Sequence, residues 1–161
     1  MFNKRKVERE RRMGFNQTIH FENVVSRYYQ VDLKDFAKAF EDFVTTVVKS
    51  GYTPTSNFFY AINSDLEDPV DMLLQVFIPV EEDKSYELPE NYRYQSYYEV
   101  INMVGVRVEG DSESQFSEGI RVLVEQIVEM DAELASPPFY FVNQIGDKTF
   151  TDILIKISVN V

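Results

Sequence analysis

The stretch Ser56-Asn-Phe-Phe-Tyr-Ala-Ile-Asn63 has a counterpart 80 residues further along the chain, Ser136-Pro-Pro-Phe-Tyr-Phe-Val-Asn143. The match continues on both sides, and after one inserted residue the segment 71–80 aligns with 152–161. Self-similarity that runs through a chain in order is the signature of a repeated structural unit. The sequence therefore predicts two tandem copies of one unit. Further identical pairs at the same displacement are Val24 with Val104, Arg27 with Arg107, Phe36 with Phe116, Val44 with Val124 and Val48 with Val128.

Each copy is predicted to contain a strand, a helix and two further strands. Alternating side chains indicate the strands, and apolar residues spaced three and four apart indicate the helices. Asp32 is the predicted N-cap of the first helix and Gly51 lies just past its end, while Ser112 and Gln115 fit a capping box at the second. The predicted strands cover 16–31, 58–63 and 70–80 in the first copy, and 96–109, 139–143 and 149–161 in the second.

A single strand-helix-strand-strand unit leaves one sheet face and one edge uncovered, so two units are expected to share a sheet. We therefore predict an α+β fold in which two tandem βαββ repeats share an antiparallel sheet, with helices on one face, a concave cleft on the other and a pseudo-two-fold axis. A basic, flexible N-terminal arm is predicted over 1–15 and a single domain over 16–161. Within that domain the predicted boundaries are 16–80 for repeat one, 81–95 for a connector and 96–161 for repeat two.

Composition excludes several classes of protein. The chain has 161 residues, of which 44% are hydrophobic and 27% charged, a profile typical of a globular chain. It has no cysteine and one histidine, His20, which excludes thiol catalysis and thiolate zinc sites and argues against a cluster of histidine ligands. Its net charge of −11 argues against nucleic acid as a partner. We expect no metal, no cofactor, no membrane segment and a cytoplasmic location.

The charge is unevenly distributed, because residues 1–12 contain six basic and two acidic side chains. Such an arm could bind an anionic surface, fold back on the acidic body or remain solvated. Met13-Gly14 would also make a plausible translation start, which would leave the arm outside the native protein.

The order of elements, the entry Gly51-Tyr-Thr-Pro-Thr-Ser-Asn-Phe-Phe-Tyr60 and the ending Ile78-Pro-Val80 resemble the GyrI-like small-molecule-binding superfamily. Within it, the chain is similar to a family of small Firmicute proteins often encoded near LXG-type secreted toxins. The resemblance implies a ligand cleft between the repeats, lined by aromatic rings and, in many members, by a carboxylate that pairs with cationic ligands. Members that bind cationic drugs carry a Glu shortly before the last strand. The corresponding segment 143–152 has none, although Asp147 and Asp152 are possible substitutes.

Strand alternation selects the side chains that could reach such a cleft. If Val104, Val106 and Val108 face the helices, then the side chains of Arg27, Tyr29, Arg107 and Glu109 face the open side. Arg27 and Arg107 at equivalent positions could clamp an anion, or each could form an ion pair with an acidic neighbour such as Glu109. The alternation does not decide which member of the Phe59-Tyr60 and Phe139-Tyr140 pairs faces the helices. The predicted ligand-binding residues are Arg27, Tyr29, Tyr60, Phe77, Tyr98, Arg107, Glu109 and Tyr140.

The favoured function is a non-enzymatic sensor or carrier that binds a small organic ligand. The alternative is a protein-interaction accessory, for example to a secreted toxin, that uses the acidic surface and the tyrosine-rich connector. Some relatives hydrolyse small electrophiles with a Tyr and a Glu, and Tyr60 or Tyr140 with Glu109 could imitate that pairing. Because sequence does not establish the hydrogen-bond distances that acid–base catalysis needs, we do not expect an enzyme.

Overall fold

The computed structural model describes residues 13–64 and 68–159, and in them an antiparallel arrangement of strands accompanies two helices. The predicted α+β class is confirmed. In chain order the elements are β1 (Met13–Val31), a 3₁₀ turn (Leu33–Asp35), α1 (Phe36–Lys49), β2 (Phe59–Ile62), β3 (Met72–Pro79), β4 (Tyr92–Glu109), α2 (Glu113–Glu129), β5 (Ala132–Leu134), β6 (Phe139–Ile145) and β7 (Lys148–Val159).

The chain forms two compact units that are not the two predicted repeats. The central unit is Ile19–Glu99, and the described residues of the terminal unit are 13–18 and 100–159. The boundaries between the units fall within the residue ranges of β1 and β4. The strand β1 begins at Met13 and therefore includes 13–15 of the predicted arm, whereas 1–12 lie outside the described residues. The strand β4 begins at Tyr92, inside the predicted connector.

In the central unit, β3 lies between β1 and β2 and pairs antiparallel with both. The helix α1 packs on one face of these strands and buries Phe43 and Val47 completely. Phe40 of the same helix contacts Tyr60 of β2, with 4.7 Å between ring centroids. The face that carries Tyr60 is therefore the one covered by α1.

The start of α1 differs from the prediction. Asp32 does not cap a helix N-terminus with its side chain; its carboxylate accepts a hydrogen bond from the backbone N–H of Asp71 at 2.8 Å. The backbone N–H of Leu33 donates to Pro69 at 2.8 Å beside it. Asp32 therefore joins the start of the helical segment to the start of β3. At the other end, Gly51 has the left-handed backbone (φ 104°) that favours glycine after a helix.

In the terminal unit, β7 pairs antiparallel with β4, β5 and β6. The predicted capping box is confirmed, because the side chains of Ser112 and Gln115 bond reciprocally to the backbone at the start of α2. The helix packs on the sheet at Gly119, where a methyl group would meet side chains of β4 and β7. The strand β5 was not predicted; it is three residues long and pairs with the end of β7.

The predicted faces are correct in β4 and reversed in β1. Val106 and Val108 contact Gly119 of α2, so they face the helix as predicted. In β1, however, Arg27 pairs with Val76 and Tyr29 with Leu74, on the helix-covered face. Directly paired residues of an antiparallel ladder share a face. Arg27 and Arg107 therefore do not occupy equivalent positions.

Each long strand contains asparagine in the left-handed conformation, Asn16 and Asn23 in β1 and Asn102 in β4. Asn23 in β1 and Asn102 in β4 have φ values of 59° and 57°. Such a residue interrupts the regular alternation of a strand. Counted from these asparagines, Arg27 corresponds to Val106, and the displacement between matching positions is one residue smaller than the sequence match indicates.

Candidate ligand-binding site

Four aromatic rings gather on the face of the central unit that α1 does not cover. Phe59 of β2 and Phe77 of β3 stack with 4.8 Å between centroids and 5° between planes. Tyr98 of β4 packs on Phe77 at 4.8 Å, and Phe21 of β1 stacks on Phe59 at 5.3 Å. We call these four rings, with Tyr28 and Gln75 beside them, the aromatic face. Phe59 and Phe77 are fully buried and support the two rings above them.

Polar groups that have no hydrogen-bond partner among the described residues border these rings. Tyr28 pairs with Gln75 in the β1–β3 ladder, and Tyr28 is 57% exposed. Within the described parts of the chain, no hydrogen bond engages the side chains of Tyr28, Gln75 or Tyr98. Burial, reinforced by the nearby Tyr28, raises the pKa of Tyr98 to about 12. The aromatic face therefore offers neutral hydroxyl and amide groups above an apolar floor.

Sequence reasoning identified only part of this face. Phe77 and Tyr98 were both predicted to bind the ligand, and the structure brings them into contact. Phe21, Tyr28 and Phe59 were missed. The alternation of the strands could have identified Tyr28 and Phe59. Tyr28 lies next to Tyr29, and Phe59 next to Tyr60, and both neighbours were assigned to the wrong face.

Arg27 and Tyr29, predicted on the open side, lie instead beside α1. One oxygen of Asp42, on that helix, accepts hydrogen bonds from Tyr29 at 2.9 Å and from Arg27 at 3.3 Å. The guanidinium carbon of Arg27 lies 4.1 Å from the centroid of the Tyr29 ring and 5.2 Å from that of Tyr92. Burial and the hydrogen bonds to Tyr92 and Asp42 raise the pKa of Tyr29.

This cluster has the character of a structural ion pair. Arg27 already has a carboxylate partner and is held between two rings, with 26% of its side chain exposed. A cation placed in this way stabilises the packing of α1 on the strands. The predicted placement of Arg27 and Tyr29 in a cleft is therefore wrong for the central unit.

Tyr60 and Tyr140, also predicted as walls of the cleft, belong to the helix-covered faces. Tyr60 contacts Phe40 of α1, and Tyr140 lies 4.9 Å from Phe116 of α2 and is fully buried. Tyr140 pairs with Ile153 on the helix side of β7, whereas Glu109 pairs with Phe150 on the other side. Tyr140 and Glu109, considered above as a catalytic pair, therefore lie on opposite faces of the sheet.

Arg107 and Glu109 do face away from α2, as predicted. Arg107 forms a bidentate ion pair with Asp152, with Nε and Nη2 at 2.8 and 3.0 Å from the two carboxylate oxygens. These hydrogen bonds raise the pKa of Arg107. Glu109 lies 4.0 Å from the ammonium of Lys148, so the acidic partner of Arg107 is Asp152 and not Glu109. Asp152, one of the possible substitutes for the missing Glu, is thus already paired with a cation of the protein.

The tyrosine-rich segment mostly packs against the central unit. Tyr92 stacks on Phe43 at 5.9 Å and Tyr94 stacks on Tyr52 at 5.9 Å. Tyr86 also packs on Tyr52, at 4.9 Å. The protein-interaction alternative relied on these side chains as a binding surface. Because most of these rings pack within the central unit, their contacts do not support the protein-interaction alternative, which stays a prediction.

Among residues 13–64 and 68–159, no helix combines the length and the apolar character needed to cross a membrane. No group of three or more His, Asp or Glu side chains among them is arranged to hold a metal ion.

The fold is shared with solved structures of other proteins. The crystal structure of the EcmrR C-terminal domain matches with a TM-score of 0.71 and 16% identity, covering 92% of this chain and 98% of that one. EcmrR in a cryo-EM complex with DNA matches with a TM-score of 0.70 and 17% identity, over 97% of this chain and 61% of that chain. A hydrolase from Listeria innocua matches with a TM-score of 0.55 and 11% identity, over 91% and 90%.

The sequence itself defines the family. A family model described as Domain of unknown function (DUF5085) matches residues 20–161, so the chain belongs to that family. No curated protein sequence matches the chain. At these identities the solved structures show the fold alone, and the connection to LXG toxins stays a prediction.

Proposed function

We propose that the protein is a non-enzymatic sensor or carrier that binds a small, neutral organic molecule on the aromatic face of its central unit. One observation carries the proposal: the Tyr98 ring is held on buried Phe77, and its hydroxyl has no hydrogen-bond partner in the described chain. Water reaches this hydroxyl, since it is not one of the buried polar atoms without a partner, so it is free to bond a ligand. Small-molecule sites combine apolar walls with a few such groups.

The ligand that fits this face has a flat apolar ring system. Such a ring would lie on Tyr98 and Phe21, which are half-buried, because Phe59 and Phe77 are covered by them. Offset stacking between aromatic rings contributes about 0.5–1.5 kcal/mol beyond the burial of apolar surface. The supporting role of Phe77 is therefore to hold Tyr98 in place rather than to touch the ligand.

Charge favours a neutral ligand over a cationic one. The six residues of the aromatic face include no carboxylate, and burial raises the pKa of Tyr98 from 10.0 to about 12, further above neutral pH. Tyr28 and Gln75 add a hydroxyl and an amide, both neutral. An organic cation would have to leave water without a charged partner, which is costly.

The shared fold supports the same conclusion at a coarser level. The EcmrR C-terminal domain has the GyrI-like effector-binding fold, and this chain spans nearly all of that domain. The chain spans 61% of the EcmrR chain in the DNA complex, and DNA is a partner of that protein. We carry over ligand binding and not DNA binding, since a net charge of −11 opposes contact with phosphates.

A thermal-shift screen with neutral aromatic heterocycles, followed by native mass spectrometry of the hits, tests the proposal. The variants are Tyr98→Ala and Tyr98→Phe, with Tyr97→Ala as the matched control, because Tyr97 is the exposed neighbour on β4 and contacts His20 instead. We expect hits on the wild type to be lost in Tyr98→Ala, weakened in Tyr98→Phe and kept in Tyr97→Ala. A screen without hits, or hits that survive Tyr98→Ala, would overturn the proposal.

A further inference from the structure

A cavity of about 550 Å³ lies within the terminal unit, separate from the aromatic face. It is formed where the beginning of β1, the middle of β4, the end of α2 and the end of β7 come together. Its volume falls within the roughly 300–1,000 Å³ typical of small-molecule sites. Its accessible apolar side chains are Phe15, Met130 and Val159, which offer a surface for the hydrocarbon part of a ligand, whereas Met103 and Val104 are buried behind it.

One charged side chain lines this cavity, the half-buried Lys156 of β7. Its ammonium donates a hydrogen bond to the carbonyl oxygen of Ile101 at 2.9 Å, which directs it toward β4. No carboxylate in the described chain forms an ion pair with it. An ammonium has three donors, so two remain available for a ligand.

The other polar side chains at the cavity are uncharged. Asn16, Asn102 and Ser158 line it, and none of them has a side-chain hydrogen bond within the described residues. Asn102 also has the left-handed backbone that breaks the alternation of β4. The cavity therefore combines one positive charge, neutral donors and an apolar wall.

This combination selects a class of ligand. A single ammonium matches a monovalent anion, whereas a phosphate dianion would need further cations that the lining does not contain. The acidic chain, with its net charge of −11, also opposes multiply charged anions. The apolar wall favours a ligand with a hydrocarbon body over a small hydrophilic acid.

We infer that this cavity binds an amphiphilic monocarboxylate, with its carboxylate on Lys156 and its hydrocarbon part against Phe15, Met130 and Val159. The site is independent of the aromatic face. A protein that holds a carboxylate here and a neutral aromatic molecule on the central unit would respond to two kinds of metabolite.

Isothermal titration of the full chain with octanoate tests the inference, with octylamine and octanol as probes of the same hydrocarbon length. Lys156→Met keeps an unbranched side chain and removes the charge. Lys148→Met is the matched control, because Lys148 begins the same strand and lies outside the cavity. Ser158→Trp places a large ring at the cavity wall from an exposed position, and circular dichroism establishes that each variant is folded.

We expect octanoate to bind more tightly than octanol, and octylamine not to bind. Lys156→Met should weaken octanoate about tenfold, as the loss of a charged hydrogen bond does, and higher salt should weaken it in the wild type. Ser158→Trp should reduce binding of octanoate, whereas Lys148→Met and Tyr98→Ala should leave it unchanged. Equal binding of octanoate to Lys156→Met and Lys148→Met, or no octanoate binding to the wild type, would overturn the inference.

Discussion

Replacing Gly119 with alanine sets two effects of opposite sign against each other. Glycine inside a helix is unfavourable, so alanine would stabilise α2 by up to about 1 kcal/mol if space allowed. The added methyl group, however, would lie 2.9 Å from both Ile153 Cδ1 and Val108 Cγ1, and 3.4 Å from Val106 Cγ1. The isoleucine end can move, but the valines are β-branched and held within the buried strand β4.

Overpacking of this kind costs roughly 1–3 kcal/mol. The net expectation is a destabilisation of about 1–2 kcal/mol, which lowers the melting temperature by about 2–8 °C for a chain of this size. The assay is thermal and urea unfolding followed by circular dichroism. Ser117→Ala, at an exposed position of the same helix, is the control and should be neutral or slightly stabilising. An unchanged or higher melting temperature for Gly119→Ala would refute the packing of α2 on β4 and β7.

Three further predictions concern stability. Arg27→Met should lower the free energy of unfolding by about 1–2 kcal/mol, since it removes the contacts with two rings. Arg107→Met should lower it by less than about 1 kcal/mol, because that ion pair is half exposed. Equal losses in urea unfolding would contradict the different roles given to the two arginines. Ser112→Ala should cost about 1 kcal/mol in urea unfolding through loss of the capping box, and no loss would argue against the cap. Burial raises the pKa of Tyr98 from 10.0 to about 12, so its contribution to stability is present below about pH 10 and lost as pH rises toward 12. Tyr98→Phe should therefore lose less stability than the wild type over that interval, and identical losses would contradict the burial of this hydroxyl.

The parts of the fold that were predicted are those set by local patterns. The apolar spacing of the helices, the capping box of Ser112 and Gln115 and the hairpins of each half all depend on residues close in sequence. Such patterns follow from the periods of helices and strands. The short strand β5 carries no such pattern, since three residues are too few to alternate, and it forms only because the end of β7 is available to pair with it.

The assignment of faces failed because the two halves were aligned one residue out of phase. A shift of one position moves every side chain of a strand to the other face. The sequence match at 80 residues aligns Arg27 with Arg107, whereas the left-handed asparagines Asn23 and Asn102 align at one residue less. Arg27 and Tyr29 were therefore assigned to the open side. This pair of asparagines was the available signal for the correct displacement.

Only part of the candidate site was predicted, because the face on which a side chain lies could not be inferred equally well in every strand. Phe77 and Tyr98 were found because their faces could be inferred from neighbouring residues in β3 and from aromatic content in β4. Tyr60 and Tyr140 were assigned wrongly, since two adjacent aromatic residues fit either face equally well. Only the register of β2 on β3, and of β6 on β7, decides which of them meets the helix.

Aromatic-ring NMR of a ligand titration identifies the rings that the ligand contacts. The protein is labelled at tyrosine and phenylalanine, and a neutral aromatic hit from the thermal screen is added. We expect the ring signals of Tyr28, Tyr98 and Phe21 to move with the same dissociation constant. We expect the ring signals of Tyr86 and buried Tyr140 to stay in place. Movement of Tyr86 or Tyr140 without Tyr98 would contradict the placement of the ligand on the aromatic face.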